Sequence, residues 1–544
     1  MPGNSHGHTA GQPTDSPEAS SVAAAWRTRL QDLCFGLGAV VTALVIRLSV
    51  RGIPDPDSFY HFRHAALYAE RGLTMSAFPW LVQSVVSRYA SDLGYGFHVL
   101  LIPFTRLSDP VLGAKLATAF EIALVMGLCY WVMRRQAIAY AAAWPFMLIF
   151  FSPAIVYTVT QTRPQTLLMG FAMPLLSFLM LGGPWGVFGA SAAISFFHLN
   201  AAAVVPGVVA VAAVVKGIVE RRWEWRTWIA AAVGLGLGWV LRPNPIGSAH
   251  LLYLQTIVHE VARQRHLPLL FGGEWSPMPA AALLGFSYFL LIWAAAILVF
   301  LMAEVRRHQS LTRADRSFLW TSLLLSLVCF AAALVVSKRT VPLWAAFSVL
   351  FVAKAFTMLL NASDRRPGQL LGEDARLTAT FGIAVLLGVM IWSGASQVLV
   401  QKSWPSRDPQ QMKGPAQWIA SQAKPNDIVF NVNWDAFPEL FFWNTRQRYV
   451  SGLDPVFLYG YNAGLYWEAH HLQTGEATAR TWASPAAGPD GGEDVHAVLR
   501  RDFHASYLVL DKRRNQGLYA YLLGDQRFAM GFEDDISAVF IVKP

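Results

Sequence analysis

Charged residues are scarce in this sequence. Only 14% of the 544 positions are Asp, Glu, Lys or Arg, whereas 54% are apolar, and this proportion is typical of an integral membrane protein rather than of a soluble enzyme. Cysteine is scarce too: Cys34, Cys129 and Cys329 are the three present, and each lies in an apolar segment. This placement argues against a disulfide framework and against a thiolate metal site.

Basic residues outnumber acidic ones and give a formal charge of +9. In a soluble protein that excess would indicate nucleic-acid binding, but here the arginines cluster in short loops between apolar runs and report membrane topology, so no nucleic-acid partner is expected. Residues 1–30, rich in Ser, Pro, Gly and His, are predicted to form a disordered cytoplasmic tail. The apolar run after Arg27 and Arg29 is predicted to stay as a membrane anchor rather than to be cleaved as a signal.

Apolar runs of near-membrane length recur through residues 31–400 and predict about eleven transmembrane helices. Each loop assigned to the inner side carries at least two basic residues, which places the N-terminus in the cytoplasm and the C-terminal domain outside. Residues 51–110 and 242–279 become external loops. Four of the predicted helices are given as ranges, near 33–50, 111–133, 164–181 and 377–400. For the other seven the sequence predicts where each helix ends, namely near 157, 198, 216, 241, 306, 337 and 360.

Residues 401–544 alternate helical and strand-like runs, which predict a small extracytoplasmic α/β domain. A helix is expected at 415–423, strands are expected at 427–432, 448–450, 506–510 and 538–542, and a surface loop at 484–493. The predicted fold class is therefore an α-helical polytopic membrane protein with a C-terminal α/β domain.

Residues 54–63 read Pro-Asp-Pro-Asp-Ser-Phe-Tyr-His-Phe-Arg and directly follow the first apolar run. Two carboxylates, a histidine and an arginine thus fall together beside a membrane edge. The prolines are expected to hold Asp55 and Asp57 in extended backbone, where both carboxylates face one ligand. A helix is predicted over 58–70, ending before Gly72. The alternative interpretation is that Asp57 is only the N-cap of that helix.

The run 57–63 resembles the Asp-Pro-Trp-Phe-Asn-Tyr-Arg stretch in the first external loop of oligosaccharyltransferase catalytic subunits, which belong to the GT-C superfamily of membrane glycosyltransferases. Asp57 matches the catalytic aspartate of that family and Arg63 its arginine. The resemblance implies a GT-C-like fold over residues 31–400 in the cell inner (plasma) membrane. It also implies an inverting transfer of a sugar from a polyprenyl-phosphate donor to a lipid, glycan or protein acceptor.

On this resemblance Asp57, Asp55 and His61 are the candidate catalytic residues. Asp57 would act as general base or hold the acceptor nucleophile against the anomeric carbon. Arg63, and His198 at the outer end of a predicted helix, are candidate acceptor or sugar contacts.

Several basic residues lie at predicted outer helix ends, against the positive-inside trend. Arginine grips phosphate with two parallel hydrogen bonds, so these residues are candidates for binding the donor phosphate. The alternative is that each extends to anionic lipid headgroups. The candidates, in order of preference, are Arg339 with its neighbour Lys338, then Arg163 and Arg242.

The external loop 242–279 contains Glu274 and Trp275, a carboxylate and an indole suited to hydroxyl bonding and to stacking on a sugar ring. The alternative is that Trp275 is an interfacial anchor. The same loop contains Thr256 and Glu260, similar to a Thr/Ser-x-x-Glu signature of oligosaccharyltransferases but one residue longer in spacing.

Trp434 and Asp435, after the first predicted strand of the C-terminal domain, loosely resemble the Trp-Trp-Asp-Tyr-Gly acceptor-binding motif of oligosaccharyltransferases. The sequence departs from that motif at the Tyr and Gly. An ordinary cap at the end of a strand is the alternative.

Asp55 and Asp57 are also candidate ligands for Mg²⁺ or Mn²⁺. Oligosaccharyltransferases complete such a site with a second acidic motif, where this chain has Gln161, Thr162 and Arg163. An arginine does not ligate a cation. We therefore expect a monophosphate-linked donor and no obligatory metal, the alternative being a metal site that acids such as Glu274 complete.

Two other classes of protein stay open at this point. A transporter or flippase of lipid-linked sugars would place ionisable residues within the membrane, for which Glu121 and Arg47 are the candidates, and would show repeated halves, which the sequence lacks. A catalytically degenerate GT-C-like assembly protein would have no need of Asp57.

Overall fold

The computed structural model describes residues 17–258, 267–305, 311–364, 408–450, 452–486, 488 and 491–544, together with parts of 377–396. The described chain consists of a helical bundle followed by an α/β domain. Three parts of the predictions lie outside the described residues: His259 with Glu260, the predicted helix end at 306, and much of the predicted helix at 377–400.

The apolar runs of the first part of the chain form helices close to the predicted positions, except that the first helix begins at Pro17, so residues 17–30 are helical rather than disordered as predicted. Prolines often occupy the first helical position, where their missing N–H is not needed. The helices are α1 (Pro17–Ser49), α2 (Asp57–Arg71), α3 (Val85–Tyr89), α4 (Tyr95–Leu101), α5 (Pro110–Arg135), α6 (Trp144–Ile149), α7 (Pro153–Val159), α8 (Pro164–Leu181), α9 (Pro184–Phe197), α10 (Val204–Val219), α11 (Trp225–Val240), α12 (Pro245–Tyr253), α13 (Ser287–Val305), α14 (Arg313–Val335) and α15 (Val341–Asp364).

Seven helices of the described chain are long and apolar enough to cross a membrane. The predicted helix that leads to residue 157 is instead two short helices, α6 and α7, because Ser152 caps a new helix that begins at Pro153. Helices α9 and α11 have 14 and 16 residues and are shorter than a full span. The chain is therefore a multi-pass membrane protein, as the sequence predicts.

The short helices α9 and α11 pack at close range. A Cβ atom at Gly234 would lie 2.4 Å from the Phe188 carbonyl oxygen, and one at Gly238 would lie 2.3 Å from that of Ala192. Glycine therefore allows the two backbones to touch. This contact fixes the end of α9, where His198 leaves the helix.

The C-terminal region has the predicted α/β character. Its main sheet has the strand order β2-β1-β5-β7-β6, in which β1 pairs in parallel with β2 and β5, and β7 is antiparallel to β5 and β6. Strand β6 was not predicted. The strands are β1 (Ile428–Asn431), β2 (Arg448–Tyr449), β3 (Arg480–Thr481), β4 (Glu493–Asp494), β5 (Ala505–Asp511), β6 (Phe528–Glu533) and β7 (Ser537–Val542), and the helices are α16 (Lys413–Gln422), α17 (Phe437–Trp443), α18 (Pro455–Tyr461), α19 (Ala463–Thr474), α20 (Val495–Arg501) and α21 (Gln516–Gly524).

The sheet edge at β2 is joined to the first external loop. The Tyr449 N–H donates to the Trp80 carbonyl at 2.7 Å, and the Val82 N–H donates to the Tyr449 carbonyl at 3.0 Å. Helix α17 packs on α2, where the rings of Phe59 and Phe442 lie 5.3 Å apart. Helix α2 is thus held between the bundle and the C-terminal domain, with its first residue, Asp57, facing the site described below.

Candidate active site

Arg163 lies at the centre of an ion cluster at one end of the bundle. Its guanidinium binds both oxygens of Asp55, with Nε 2.6 Å from Oδ2 and Nη2 2.7 Å from Oδ1. Nη2 also donates to Oδ2 of Asp57 at 2.5 Å, and Nη1 donates to Oε1 of Glu274 at 3.1 Å. The Arg163 side chain is only 12% exposed. Three carboxylates therefore share one largely buried guanidinium.

Asp57 is the first residue of α2 rather than its N-cap. The N-cap is Pro56, which has helical dihedral angles (φ −60°, ψ −36°), and no side chain caps the helix. The N-cap alternative for Asp57 and the extended backbone predicted across Pro56 are both wrong. A turn, closed by the Ser58 N–H on the Asp55 carbonyl at 3.2 Å, brings both carboxylates to Arg163 instead.

Arg339 is the second arginine of the cluster. Its Nη2 donates to the same Glu274 oxygen at 3.0 Å, and its guanidinium stacks 3.7 Å above the ring of Trp275. The Ser337 hydroxyl donates to the Glu274 carbonyl at 2.8 Å and ties the two segments together. One oxygen of Glu274 thus bridges two arginines, so this residue, predicted as a sugar contact, occupies an anion-binding position.

A cavity of about 470 Å³ opens on one side of the cluster. We call it the first cavity. Its polar wall contains Arg163, Arg339 and Lys338, three of the four predicted phosphate-binding residues, together with the carboxylates Asp55 and Glu274. Its apolar wall includes Ala154, Phe286, Val341 and Pro342. Three cations beside an apolar wall suit an amphipathic anion.

A second cavity of about 110 Å³ lies on the other side of the cluster. It is lined by Asp57, His61 and His198, and Arg339 and Gln165 line both cavities. Arg339 therefore stands between the two spaces, and Asp57 faces the second cavity while it is hydrogen-bonded to Arg163 of the first. His61 and His198 line the second cavity alone.

Burial changes the acidity of the clustered carboxyl groups. It raises the pKa of Asp57 to about 7, against the opposing effect of Arg163. Burial also raises the pKa of Asp55. Burial acts in the same sense on Glu274, but Arg163 and Arg339 outweigh it and hold its pKa well below the usual range. Asp57 is thus the carboxyl that changes charge near neutral pH, as a general base requires.

Four predicted site residues do not join the cluster. Arg242 is buried, and its guanidinium donates to the main-chain carbonyls of Asp92, Ser195 and Phe196, so it is a structural tie rather than a phosphate ligand. Arg63 donates to Glu70 at 3.0 Å and to Thr445 at 3.2 Å and connects α2 to the C-terminal domain.

Trp434 and Asp435 also lie away from both cavities. Asp435 pairs with Arg514 through both carboxylate oxygens, each at 2.9 Å. The Trp434 N–H donates to the Gln473 side chain at 3.3 Å. These contacts lie within the C-terminal domain, so the acceptor-binding role predicted for this pair is not supported by its position.

The intramembrane candidates Arg47 and Glu121 are fully buried in the bundle. Arg47 donates to the carbonyls of Val50 and Gly52 at 3.4 and 3.3 Å. It therefore ties the end of α1 to the segment that leads to Asp55.

The sequence interpretation did not include Asp92 and His98. Asp92 lines the second cavity, and His98 bonds to both Asp92 and His61. The one signal in the sequence is that an aspartate and a histidine stand six residues apart in the same predicted external loop as Asp57.

Solved structures resemble this chain over nearly its whole length. A crystal structure of ArnT from Cupriavidus metallidurans in the apo state has a TM-score of 0.54 and 15% identity and covers 95% of this chain and 98% of its own. A second, bound to undecaprenyl phosphate, has a TM-score of 0.54 and 15% identity, with 93% and 97% covered.

A cryo-EM structure of a mutant of the mycobacterial arabinofuranosyltransferase AftD has a TM-score of 0.55 and 16% identity, and covers 94% of this chain and 41% of AftD. No protein-family model matches the sequence, and a search of curated proteins finds no match. The chain therefore shares its fold with ArnT and AftD. The likeness to ArnT covers both chains almost from end to end.

Proposed function

We propose that this protein is an inverting glycosyltransferase of the inner (plasma) membrane that moves a sugar from a polyprenyl-phosphate donor to an acceptor on the outer face. The observation that carries the proposal is that Arg339 lines both cavities, while Asp57, which lines the second, is hydrogen-bonded to Arg163, which lines the first. The ArnT structure with bound undecaprenyl phosphate supports a donor of this lipid class.

The first cavity suits the donor. Its apolar wall accepts the first isoprene units, while Arg163, Arg339 and Lys338 face the phosphate. As the bond between the anomeric carbon and the phosphate oxygen breaks, negative charge grows on that oxygen. Cations fixed beside it stabilise the transition state more than the ground state.

The second cavity suits the acceptor. An acceptor hydroxyl there attacks the anomeric carbon from the face opposite the phosphate, and Asp57 takes its proton. One displacement inverts the configuration, forms one C–O bond and breaks one. The pKa of Asp57, about 7, favours proton uptake at neutral pH.

The test is transfer of label from radioactive polyprenyl-phosphate sugars in inner-membrane vesicles that contain or lack the protein. We expect label to appear in an acceptor only when the protein is present. If no donor is consumed, but a lipid-linked sugar crosses the membrane in a protein-dependent way, the protein is a transporter. A protein that does neither, and that tolerates loss of Asp57, fits the degenerate assembly protein.

A divalent cation does not fit beside Asp55 and Asp57. Both oxygens of Asp55 and Oδ2 of Asp57 accept hydrogen bonds from Arg163, and a guanidinium repels a cation. We therefore propose that transfer needs no metal. Vesicles assayed with EDTA are expected to keep their full rate, and a loss that Mg²⁺ or Mn²⁺ restores would contradict this.

Glu274 holds the position that we assign to the donor phosphate, so the phosphate must displace it. Replacing it with glutamine removes the competing charge, and we expect Glu274→Gln to bind undecaprenyl phosphate roughly threefold to tenfold more tightly. Binding of the labelled lipid to purified protein measures this. Glu224→Gln is the matched control, because Glu224 also pairs with a cation, Lys216 in the last turn of α10, at 2.7 Å. Glu224 lines neither cavity. Weaker lipid binding by Glu274→Gln would mean that Glu274 supports the phosphate site.

The transfer rate is expected to follow the charge of Asp57. Because a base acts only when deprotonated and the pKa of Asp57 is about 7, the rate rises with pH up to that value and then levels off. At about pH 6 it is expected to be roughly a tenth of the plateau. Initial rates at saturating donor measure the profile. Lipid binding at the same pH values is the control, and a rate that falls as pH rises towards neutrality would contradict the role of Asp57.

A further inference from the structure

Three side chains form a hydrogen-bonded chain that begins at the second cavity. Nδ1 of His61 lies 2.7 Å from Nε2 of His98, and Nδ1 of His98 lies 2.6 Å from Oδ2 of Asp92. His98 is fully buried, and both of its ring nitrogens are used in the chain. His61 is the member that lies one helical turn from Asp57, and both line the second cavity.

Asp92 is the last member of this hydrogen-bonded chain, and its surroundings stabilise the charged carboxylate. Besides His98, the Tyr68 hydroxyl donates to Oδ2 at 3.0 Å and the Gly94 N–H donates to Oδ1 at 2.8 Å. Burial opposes the charge, but the neighbouring His98 and His64 outweigh it and lower the pKa of Asp92. A positive charge on His98 is therefore stabilised by a fixed anion.

His61 itself is a poor place for a proton to stay. Burial, His98, Arg163 and His198 all lower its pKa well below the usual value, although Asp92 acts in the opposite sense. A proton that reaches His61 from the cavity is therefore not held there, and the 2.7 Å hydrogen bond to His98 is a path along which it leaves.

We propose that His61, His98 and Asp92 form a proton relay that deprotonates Asp57 after each sugar transfer. The proposal rests on the proposed function, which leaves the acceptor proton on Asp57. That proton passes to Nε2 of His61, directly or through one water, while the proton on Nδ1 of His61 passes to Nε2 of His98. The result is a His98 imidazolium paired with the Asp92 carboxylate, and Asp57 is again a base. The proton returns to the cavity after the product leaves.

A metal ion is not an alternative occupant of this cluster. Ligand atoms of His64, Asp92 and His98 lie within 4.8 Å of one another. However, the 2.6 Å separation of His98 Nδ1 and Asp92 Oδ2 is that of a hydrogen bond. A cation held at ordinary ligand distances of about 2.1 Å would force these two atoms apart.

The relay is tested with the donor that wild-type vesicles consume. His61→Ala and Asp92→Asn are each expected to lower kcat about tenfold to a hundredfold, with KM for the donor unchanged. Because the residues act in series, the double variant is expected to be no slower than the slower single variant. Free imidazole is expected to restore the rate of His61→Ala, since it can occupy the vacated space and carry the proton, and to have no effect on Asp92→Asn.

The matched control is His471→Ala, a buried histidine of α19 in the C-terminal domain that lines neither cavity; its Nδ1 lies 2.7 Å from Oε2 of Glu476, a carboxylate contact like that of His98 with Asp92. It is expected to keep the wild-type kcat and to ignore imidazole. Binding of undecaprenyl phosphate with wild-type affinity shows that each variant is folded.

Additive losses in the double variant, an unchanged kcat in either single variant, or no response of His61→Ala to imidazole would overturn the relay. If wild-type vesicles transfer no sugar, the proposed function itself fails. Transfer that depends on Asp57 but not on His61 leaves the function standing and removes the relay alone.

Discussion

Asp57→Asn is expected to lower sugar transfer by about two to four orders of magnitude, the usual contribution of a general base. Asparagine keeps the shape of the side chain and still accepts a hydrogen bond from Arg163, but it takes no proton. Donor binding is expected to survive, because Arg339 and Lys338 remain. The measurement is label transfer in vesicles at matched protein level, together with binding of undecaprenyl phosphate to the purified variant.

Asp435→Asn is the matched control for this variant. Like Asp57, Asp435 accepts hydrogen bonds from an arginine, but it lies in the C-terminal domain away from both cavities. It is expected to transfer sugar at the wild-type rate. If Asp57→Asn kept the full rate of transfer, Asp57 would not be the general base, and another group would have to take the acceptor proton.

Arg163→Ala is expected to remove activity and to destabilise the protein. It leaves Asp55 and Asp57 largely buried without their shared counter-charge, and breaking a buried ion pair in this way costs roughly 3–5 kcal/mol. The loss is expected to be greatest at alkaline pH. Without Arg163 the pKa values of both carboxyls rise still further above their unfolded values, so the folded state is favoured while they are protonated and loses stability as pH rises.

Thermal unfolding of the purified variant in detergent, at acidic and alkaline pH, measures this effect. Arg514→Ala is the control, since it breaks an arginine–aspartate pair in which the arginine is 44% exposed, and exposed pairs contribute little. An Arg163→Ala protein as stable as wild type at alkaline pH would show that the carboxylates relax into water.

Most of the bundle could be predicted because membrane spans are a strong signal. An apolar run long enough to cross a bilayer has few other interpretations, so the positions of α5, α8, α10, α14 and α15 follow from composition alone. The break between α6 and α7 depends on one cap at Ser152, and periodicity does not reveal such a local event. Strand β6 (Phe528–Glu533) mixes charge and glycine with apolar residues and lacks a clear strand pattern.

The sequence singled out the charged residues of the cluster, but it did not show which of them pair with one another. Arg163, Arg339 and Asp57 stood out as ionisable residues at one membrane edge. Arg242 looked the same in the sequence, because a basic residue at a helix end can face a ligand or backbone carbonyls. In the structure Arg242 faces backbone carbonyls, because the packing of α9 against α11 brings the carbonyls of Ser195 and Phe196 to its guanidinium. The sequence alone does not reveal this helix packing.

The clamping of α2 between the bundle and the C-terminal domain bears on how the protein is made. The contact of Arg63 with Thr445 joins residues 382 positions apart, and the Phe442 and Tyr449 contacts are of similar reach. A ribosome releases α2 long before it releases these partners. The nascent protein therefore holds an incomplete candidate site through most of its synthesis, and a chain that stalls before the final domain leaves α2 without the contacts that fix it in place.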